Sequence, residues 1–132
     1  MSNEFTVTCT MNFSKGSGVS TVTDKASRAN VQFDQAGDGQ AGGIQNIGTV
    51  AEAIDVGDVT SPLNGSWAFF QNTDDTNFVQ IGINVNGAGF EEFCKLEIGQ
   101  FALLPLDIVA NGILQAKADT AAVELYYKIW EA

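Results

Sequence analysis

Histidine is missing from the sequence, and its absence removes several kinds of catalysis. Histidine is the commonest general base and the commonest transition-metal ligand in proteins. Without it, Ser-His and Cys-His nucleophile pairs cannot form within one chain. We therefore predict that the protein is not an enzyme, and that it has no catalytic, cofactor-binding or metal-binding residues.

Basic residues are scarce too: six lysines and arginines stand against sixteen acids, which gives a net charge of −10. An acidic surface repels phosphate backbones, so we expect no nucleic-acid partner. No apolar run approaches the ~18 residues that a membrane-spanning helix needs, so we expect no membrane partner. The first residues lack the basic and apolar stretches of a secretory signal, which predicts that the protein acts or is assembled in a cytoplasm.

Cysteine occurs only at two positions. Cys9 and Cys94 both occupy apolar positions of strand-like runs, which predicts two buried free thiols. The alternative is one disulfide, which would need an oxidising compartment. Nothing else in the sequence indicates such a compartment.

Strand periodicity is what the sequence has in abundance. Apolar residues alternate with polar ones from Glu4 to Phe13 and again from Val123 to Trp130, which is the pattern of strands with one buried face. Asn86-Gly87 is the strongest short hairpin signal. The length of 132 residues suits a single domain spanning residues 1–132.

About nine or ten short strands with regular turn signals predict an all-β fold, an antiparallel β-sandwich of jelly-roll-like form. After the first strand we expect separate strands over Val19–Thr23 and Ala29–Phe33. A polar, Gly-rich loop follows them, and Ser61–Ser66 is predicted as a turn. An Ala-rich helix over Gln115–Val123 is the main local alternative.

Two motifs resemble functional sites, but their sequence context argues against a functional role. Gly37-Asp-Gly-Gln-Ala-Gly42 matches the dinucleotide pattern G-x-G-x-x-G, which needs a helix to follow it. The next residues are a poor helix start, so we interpret the match as a flexible loop. Glu91 and Glu92 are adjacent, so on a strand they point to opposite faces and cannot form an acid pair.

Acidic residues are concentrated in the middle of the chain. Their carboxylate oxygens could bind Ca²⁺, so a Ca²⁺ site is an alternative. Their spacing does not fit a calcium-binding loop, and aspartates that bond their own backbone in turns explain them more simply. The residues are Asp34, Asp38, Glu52, Asp55, Asp58, Asp74 and Asp75.

Aromatic residues in the strand-like runs have two interpretations. They could form a platform that stacks on carbohydrate or on bases, but core or subunit interface is the more usual role. The set comprises Trp67, Phe69, Phe70, Phe90, Phe93 and Trp130.

From Asp58 onward, three blocks occur in an order that resembles a group of small virion proteins of tailed phages. The first block is Asn72-Thr-Asp-Asp-Thr-Asn77 followed by Phe78–Gly82. The second is Phe93–Leu104, in which Gln100 stands where the group has an acid, and the third is Ala116–Leu125. Within them, Asn72, Asp74 and Asn77 suit a turn bonded by side chains, and Gly82 and Gly99 suit positive φ or close backbone approach.

This resemblance implies a β-sandwich structural protein of a phage particle. The expected function is capsid decoration (cement) by a homo-oligomer, in the simplest case a trimer, with the major capsid protein as a further partner. The expected location is the virion, after assembly in the host cytoplasm. The alternatives are a tail or head–tail connector component, or a carbohydrate- or receptor-binding module at the tail tip.

Overall fold

The structure is a computed structural model that describes residues 5–16, 22–33, 40–59, 66–108 and 111–131. By contact the chain divides into two compact units, Met1–Ala36 and Gly37–Ala132. The predicted all-β class is confirmed, and the described residues contain no helix. The strands are β1 Phe5–Lys15, β2 Val22–Phe33, β3 Gln40–Ile47, β4 Glu52–Ala53, β5 Ser66–Asn72, β6 Val79–Val85, β7 Phe90–Leu96, β8 Phe101–Leu106, β9 Gly112–Ala118 and β10 Val123–Trp130.

The first unit is an antiparallel ribbon of β1 and β2. Its register shifts between Val7 and Cys9, where β2 carries an extra residue. Residues 22–33 form one continuous strand, so the prediction of separate strands over Val19–Thr23 and Ala29–Phe33 is wrong. Burial along β1 does not follow the predicted alternation, because Val7 is buried whereas Met11 is 68% exposed.

The second unit is a β-sandwich with jelly-roll topology. Its first strand pairs with its last and the pairing nests inwards: β3 with β10, β4 with β9, β5 with β8 and β6 with β7. Two further pairings, β10 with β5 and β6 with β9, join these ribbons into two four-stranded sheets. Sheet I has the order β3-β10-β5-β8 and sheet II the order β4-β9-β6-β7. This nesting is the jelly-roll arrangement, which confirms the predicted fold class.

The core lies between the two sheets and explains why the strands have a period of two. Every second side chain of β5, β9 and β10 is buried, with the alternate side chains half-buried or exposed. Phe70, Leu114 and Leu125 are among the largest fully buried side chains. Burying such side chains is worth roughly 1.5–3 kcal/mol each before conformational entropy is subtracted.

The hairpin predicted at Asn86-Gly87 is present, and it joins β6 to β7. Both residues have positive φ, 55° and 73°, as a type I′ turn requires. Gly82 permits the adjacent bulge, because a Cβ at this position would collide with the carbonyl oxygen of Glu91. Gly99 has a φ of 72°, so both glycines have the roles predicted for them.

The helix alternative over Gln115–Val123 is wrong, since these residues end β9, form a turn and begin β10. The predicted single domain over residues 1–132 stays a prediction; the structure shows that the second unit builds the sandwich from its own strands. Most of the Gly-rich loop and of the Ser61–Ser66 turn lies outside the described residues. None of the residues that are described lies in a helix long and apolar enough to cross a membrane.

Candidate functional site

Sheet I has an unusual outer surface, which can be identified from register and burial. On β10, Val123, Leu125, Tyr127 and Ile129 are buried, so the residues between them point outwards. Residues directly opposite each other in an antiparallel pair share a face of the sheet. The register of β10 with β3 and β5, and of β5 with β8, therefore assigns the outer residues of all four strands.

These outer residues form cross-strand rows, and we call the whole surface the aromatic face. An outer row of a surface sheet is normally polar, because the other side is the one that packs on the core. Here most positions are apolar. From one end of the sheet, the rows are Asn46–Glu124, Ile44–Tyr126–Gln71–Phe101, Gly42–Lys128–Phe69–Leu103 and Gln40–Trp130–Trp67–Pro105.

The rings of the aromatic face contact one another. Phe69 and Phe101 stack with centroids 5.8 Å apart and an interplanar angle of 23°. Phe69 meets Tyr126 edge to face at 6.0 Å and 70°. Ile44 and Phe101, at the two ends of one row, are 65% and 64% exposed. The centre of the face is thus prearranged, while its edges offer apolar surface for a contact.

Two charged side chains stand on the aromatic face, Glu124 and Lys128. The stem of Lys128 lies against β3 at Gly42, where a Cβ would come within 2.5 Å of the lysine Cδ. Within the described part of the chain the only ion pair joins Lys95 to Glu97 at 2.8 Å, so neither charge on the face is paired there.

The outer surface of sheet II is mostly polar. Its rows carry glutamines, lysines and Glu92, which accepts a hydrogen bond from Gln80 at 2.9 Å. Its apolar residues Phe90 and Ile113 share one row at the end of the sheet with Asn84, and Phe93 projects from the bulge. The two surfaces of the sandwich therefore differ in chemistry.

The predicted aromatic set is divided by the fold. Phe70 is in the core, and Phe90 and Phe93 belong to sheet II. Trp67, Phe69 and Trp130 lie on the aromatic face. Phe101 and Tyr126 also lie on this face, although neither belongs to the predicted set. Their signal was present, because each is an apolar residue at an outward position of a strand with clear alternation.

Reactive groups do not converge within the described chain. The prediction that both thiols are buried is wrong: Cys9 is exposed and Cys94 is half-buried, and both are free. Burial raises the pKa of the Cys94 thiol, and the nearby Glu92 carboxylate raises it further, which disfavours the nucleophilic thiolate. The described residues include no cluster of acids and cysteines that could hold a metal ion.

An open cleft of about 330 Å³ lies beside β3 and the loop after β4. It is lined by groups that include Asp55, Gly57 and Lys128. The hydroxyl of Tyr127 donates to the Asp55 carbonyl oxygen at 2.6 Å, and burial, with the Asp55 charge, raises the tyrosine pKa. The Asp55 carboxylate accepts from the Gly57 N–H at 2.9 Å, so these groups stabilise the loop.

Residues from the three sequence blocks meet at one end of the sandwich. Asn72 is fully buried, and its Nδ2 donates to the carbonyls of Asn77 at 2.8 Å and Leu96 at 3.0 Å. Thr120 Oγ1 donates to Asn77 Oδ1 at 2.9 Å. Asp74 Oδ2 accepts from the Asn77 N–H at 2.6 Å, which confirms the predicted side-chain-bonded turn. We call this network the polar junction, and its role is structural.

The prediction that the mid-chain aspartates bond backbone N–H groups in turns is confirmed for Asp55 and Asp74, whereas Asp75 accepts, within the described part of the chain, only from the Thr76 hydroxyl. Asp74 accepts from two backbone N–H groups, and Glu52 accepts from the N–H of Gly48 at 3.0 Å. Asp34 and Asp38 lie outside the described residues. In the matched G-x-G-x-x-G, the last three residues begin β3, so a strand stands where a dinucleotide site needs a helix.

The comparisons with known proteins add no family to these observations. A scan against protein-family models, a search of curated proteins and a search of solved structures each found no match to this chain.

Proposed function

We propose that the chain is a non-enzymatic structural protein of a tailed-phage particle, and specifically a capsid decoration (cement) protein that works as a homo-oligomer. The observation that carries the proposal is the aromatic face. An acidic jelly roll with aromatic side chains outside one of its sheets has a surface suited to contact with protein. The three blocks that resemble phage virion proteins support the assignment to a phage particle.

The polar junction supports a structural role for those blocks. Asn72 of the first block bonds to Leu96 of the second, and Thr120 of the third bonds to Asn77 of the first. Each residue satisfies another residue's buried polar group instead of presenting a reactive atom to solvent. The three blocks that this chain shares with the phage virion proteins thus support a common fold and do not indicate a common catalytic activity.

Assembly on a capsid predicts the symmetry of the homo-oligomer. Decoration proteins sit at symmetry axes, so a cyclic homo-oligomer is expected, and a trimer is the simplest form. The partners are then other copies of the chain and the major capsid protein. Such a protein is assembled in the host cytoplasm and resides in the virion.

The ribbon of β1 and β2 is a second surface available for a virion contact. Two-stranded ribbons are at best marginally stable alone in water. Cys9 is exposed and Met11 is 68% exposed, so β1 presents apolar side chains. A neighbouring protein that adds a strand to the ribbon would satisfy its free edges.

Two alternatives use the same features. A tail or head–tail connector component would also assemble through the aromatic face. A carbohydrate- or receptor-binding module would instead stack sugars on Phe69, Phe101 and Tyr126, whose rings are arranged in contact. A glycan array, probed with and without EDTA, tests the second alternative. Specific binding there would favour receptor recognition over decoration.

Addition of purified protein to particles made without it tests decoration directly. We expect the protein to cosediment with such particles and to saturate at a fixed ratio to the major capsid protein. Particles that already contain the protein are the control and should take up little more. Failure to bind the depleted particles would contradict the proposal.

A further inference from the structure

We infer that the aromatic face binds the same face of a second copy of this chain around a two-fold axis. The inference rests on the proposed homo-oligomer and names the surface that forms it. Charge is the first argument: the chain carries a net charge of −10, whereas the face carries one acid, Glu124, and one base, Lys128. Two copies of an acidic protein repel least where their surfaces are neutral.

The two charges are arranged so that the face complements itself. Along β10 the outward residues are Glu124, Tyr126 and Lys128, so each charge lies about 7 Å from the tyrosine at ~3.4 Å per residue. Consider a two-fold axis within the interface, perpendicular to β10 and level with Tyr126. It runs the second β10 antiparallel over the first, and therefore places Glu124 over Lys128 of the second copy, twice.

The same axis also places apolar residues of one copy opposite apolar residues of the other. The cross-strand row of Tyr126 includes Ile44 and Phe101, and the axis lays this row over its own counterpart. Face-to-face sheets pack about 10 Å apart, with side chains interdigitating. The contact would remove from water two of the most exposed large apolar side chains, Ile44 at 65% and Phe101 at 64%.

Both charges are available for this pairing. Neither Glu124 nor Lys128 forms an ion pair within the part of the chain that the structure describes. The absence of a side chain at Gly42 lets the lysine stem lie against β3. Because the stem is held there, less side-chain entropy is lost when the ammonium meets a carboxylate.

A two-fold contact of this kind gives a dimer. Combined with the three-fold assembly that the phage resemblance suggests, it gives a hexamer with dihedral symmetry. In either case the number of copies is even.

Charge reversal of the full chain tests the inference by sedimentation equilibrium. Glu124→Lys would set two pairs of ammonium groups against each other across the axis, and Lys128→Glu would create two pairs of carboxylates. We expect each single variant to raise the dissociation constant of the two-fold contact roughly tenfold or more. Mixing the two single variants should restore association as a heterodimer, and the double variant should restore it as a homodimer.

Matched controls reverse charges on the other sheet. Lys117→Glu and Glu92→Lys change the net charge by the same amounts but lie on sheet II, so they should leave the dissociation constant close to that of the original chain. Circular dichroism establishes that every variant is folded.

Three results would overturn the inference. They are a monomer at ~100 μM, a concentration far above the dissociation constant of a stable complex, an odd-numbered oligomer, or single variants whose dissociation constants match those of the sheet II controls. None of these results removes the proposed function, because particle binding is measured separately. Conversely, an intact two-fold contact in a protein that does not bind particles would contradict the proposed function alone.

Discussion

At the residue scale, Asn72 contributes most to the polar junction. Its side chain is fully buried and makes three hydrogen bonds: two donated to the carbonyls of Asn77 and Leu96, and one accepted from the Asp74 N–H at 2.9 Å. These bonds connect the end of β5 to the turn that follows it and to the end of β7. A buried asparagine of this kind aligns strands that are far apart in sequence.

We expect Asn72→Ala to lower the free energy of unfolding by about 2–4 kcal/mol, because two buried carbonyl oxygens lose their donor. Urea denaturation followed by tryptophan fluorescence measures the change. Asn84→Ala is the control, since Asn84 accepts one long bond from Gly89 at 3.3 Å in an exposed turn. A cost for Asn72→Ala no larger than that of the control would contradict the role of the junction.

Asp74 should make stability depend on acid pH. Bonds from the N–H groups of Asn77 and Thr76 lower the pKa of its carboxyl below the ordinary value. The stabilisation from the ionised carboxylate is therefore complete above the unfolded pKa of about 4, and is lost as pH falls through the lower folded pKa. Asp74→Asn should be less stable than the original chain at pH 7, and the difference should shrink at pH ~3.

Denaturation curves at both pH values measure this difference. Asp75→Asn is the control for loss of a charge, because the Asp75 carboxylate accepts from the Thr76 hydroxyl and from no backbone N–H that the structure describes. If the Asp74→Asn difference were constant with pH, the carboxylate would not be the stabilising species.

At the element scale, the sequence predicted those turns and strands that are specified by residues close together in the chain. Asn86-Gly87 predicts its hairpin because both turn residues must have positive φ, and this pair tolerates it. Turn residues flank both β7 and β8, so the local sequence also specifies where these two strands end. The continuity of β2 was missed because its polar centre resembles a turn.

Features that depend on pairing between strands far apart in sequence could not be predicted from local patterns. β3 and β10 pair across most of the second unit, and no local pattern specifies that register. Alternation shows that two faces of a strand differ, but it does not show which face is covered. For this reason Cys9 was predicted as buried although it is exposed, and the aromatic face was recognised only as a set of aromatic residues.

The two units should differ in their ability to fold alone. Among the residues that the structure describes, every member of the buried core cluster lies between Ile47 and Ile129, so residues 37–132 contain this cluster. We expect a chain of residues 37–132 to unfold cooperatively in urea. A peptide of residues 1–36 should show no cooperative transition, since two-stranded ribbons are marginal alone. A noncooperative transition for residues 37–132 would contradict the division of the core.

At the scale of the whole molecule, the sandwich is chemically two-sided. Sheet II presents a mostly polar surface, whereas sheet I presents rings, aliphatic side chains and one pair of opposite charges. The described chain brings no nucleophile, base and metal ligand together. Under the proposed function, sheet I is the surface that takes part in assembly.

The central proposal is that this protein decorates a phage capsid, and its copy number in purified particles tests that most directly. Quantitative mass spectrometry of intact particles gives the ratio of this chain to the major capsid protein. Repetition at capsid symmetry axes predicts on the order of hundreds of copies per particle. About a dozen copies or fewer would indicate a connector or tail component. Absence of the chain from the particles would contradict the account.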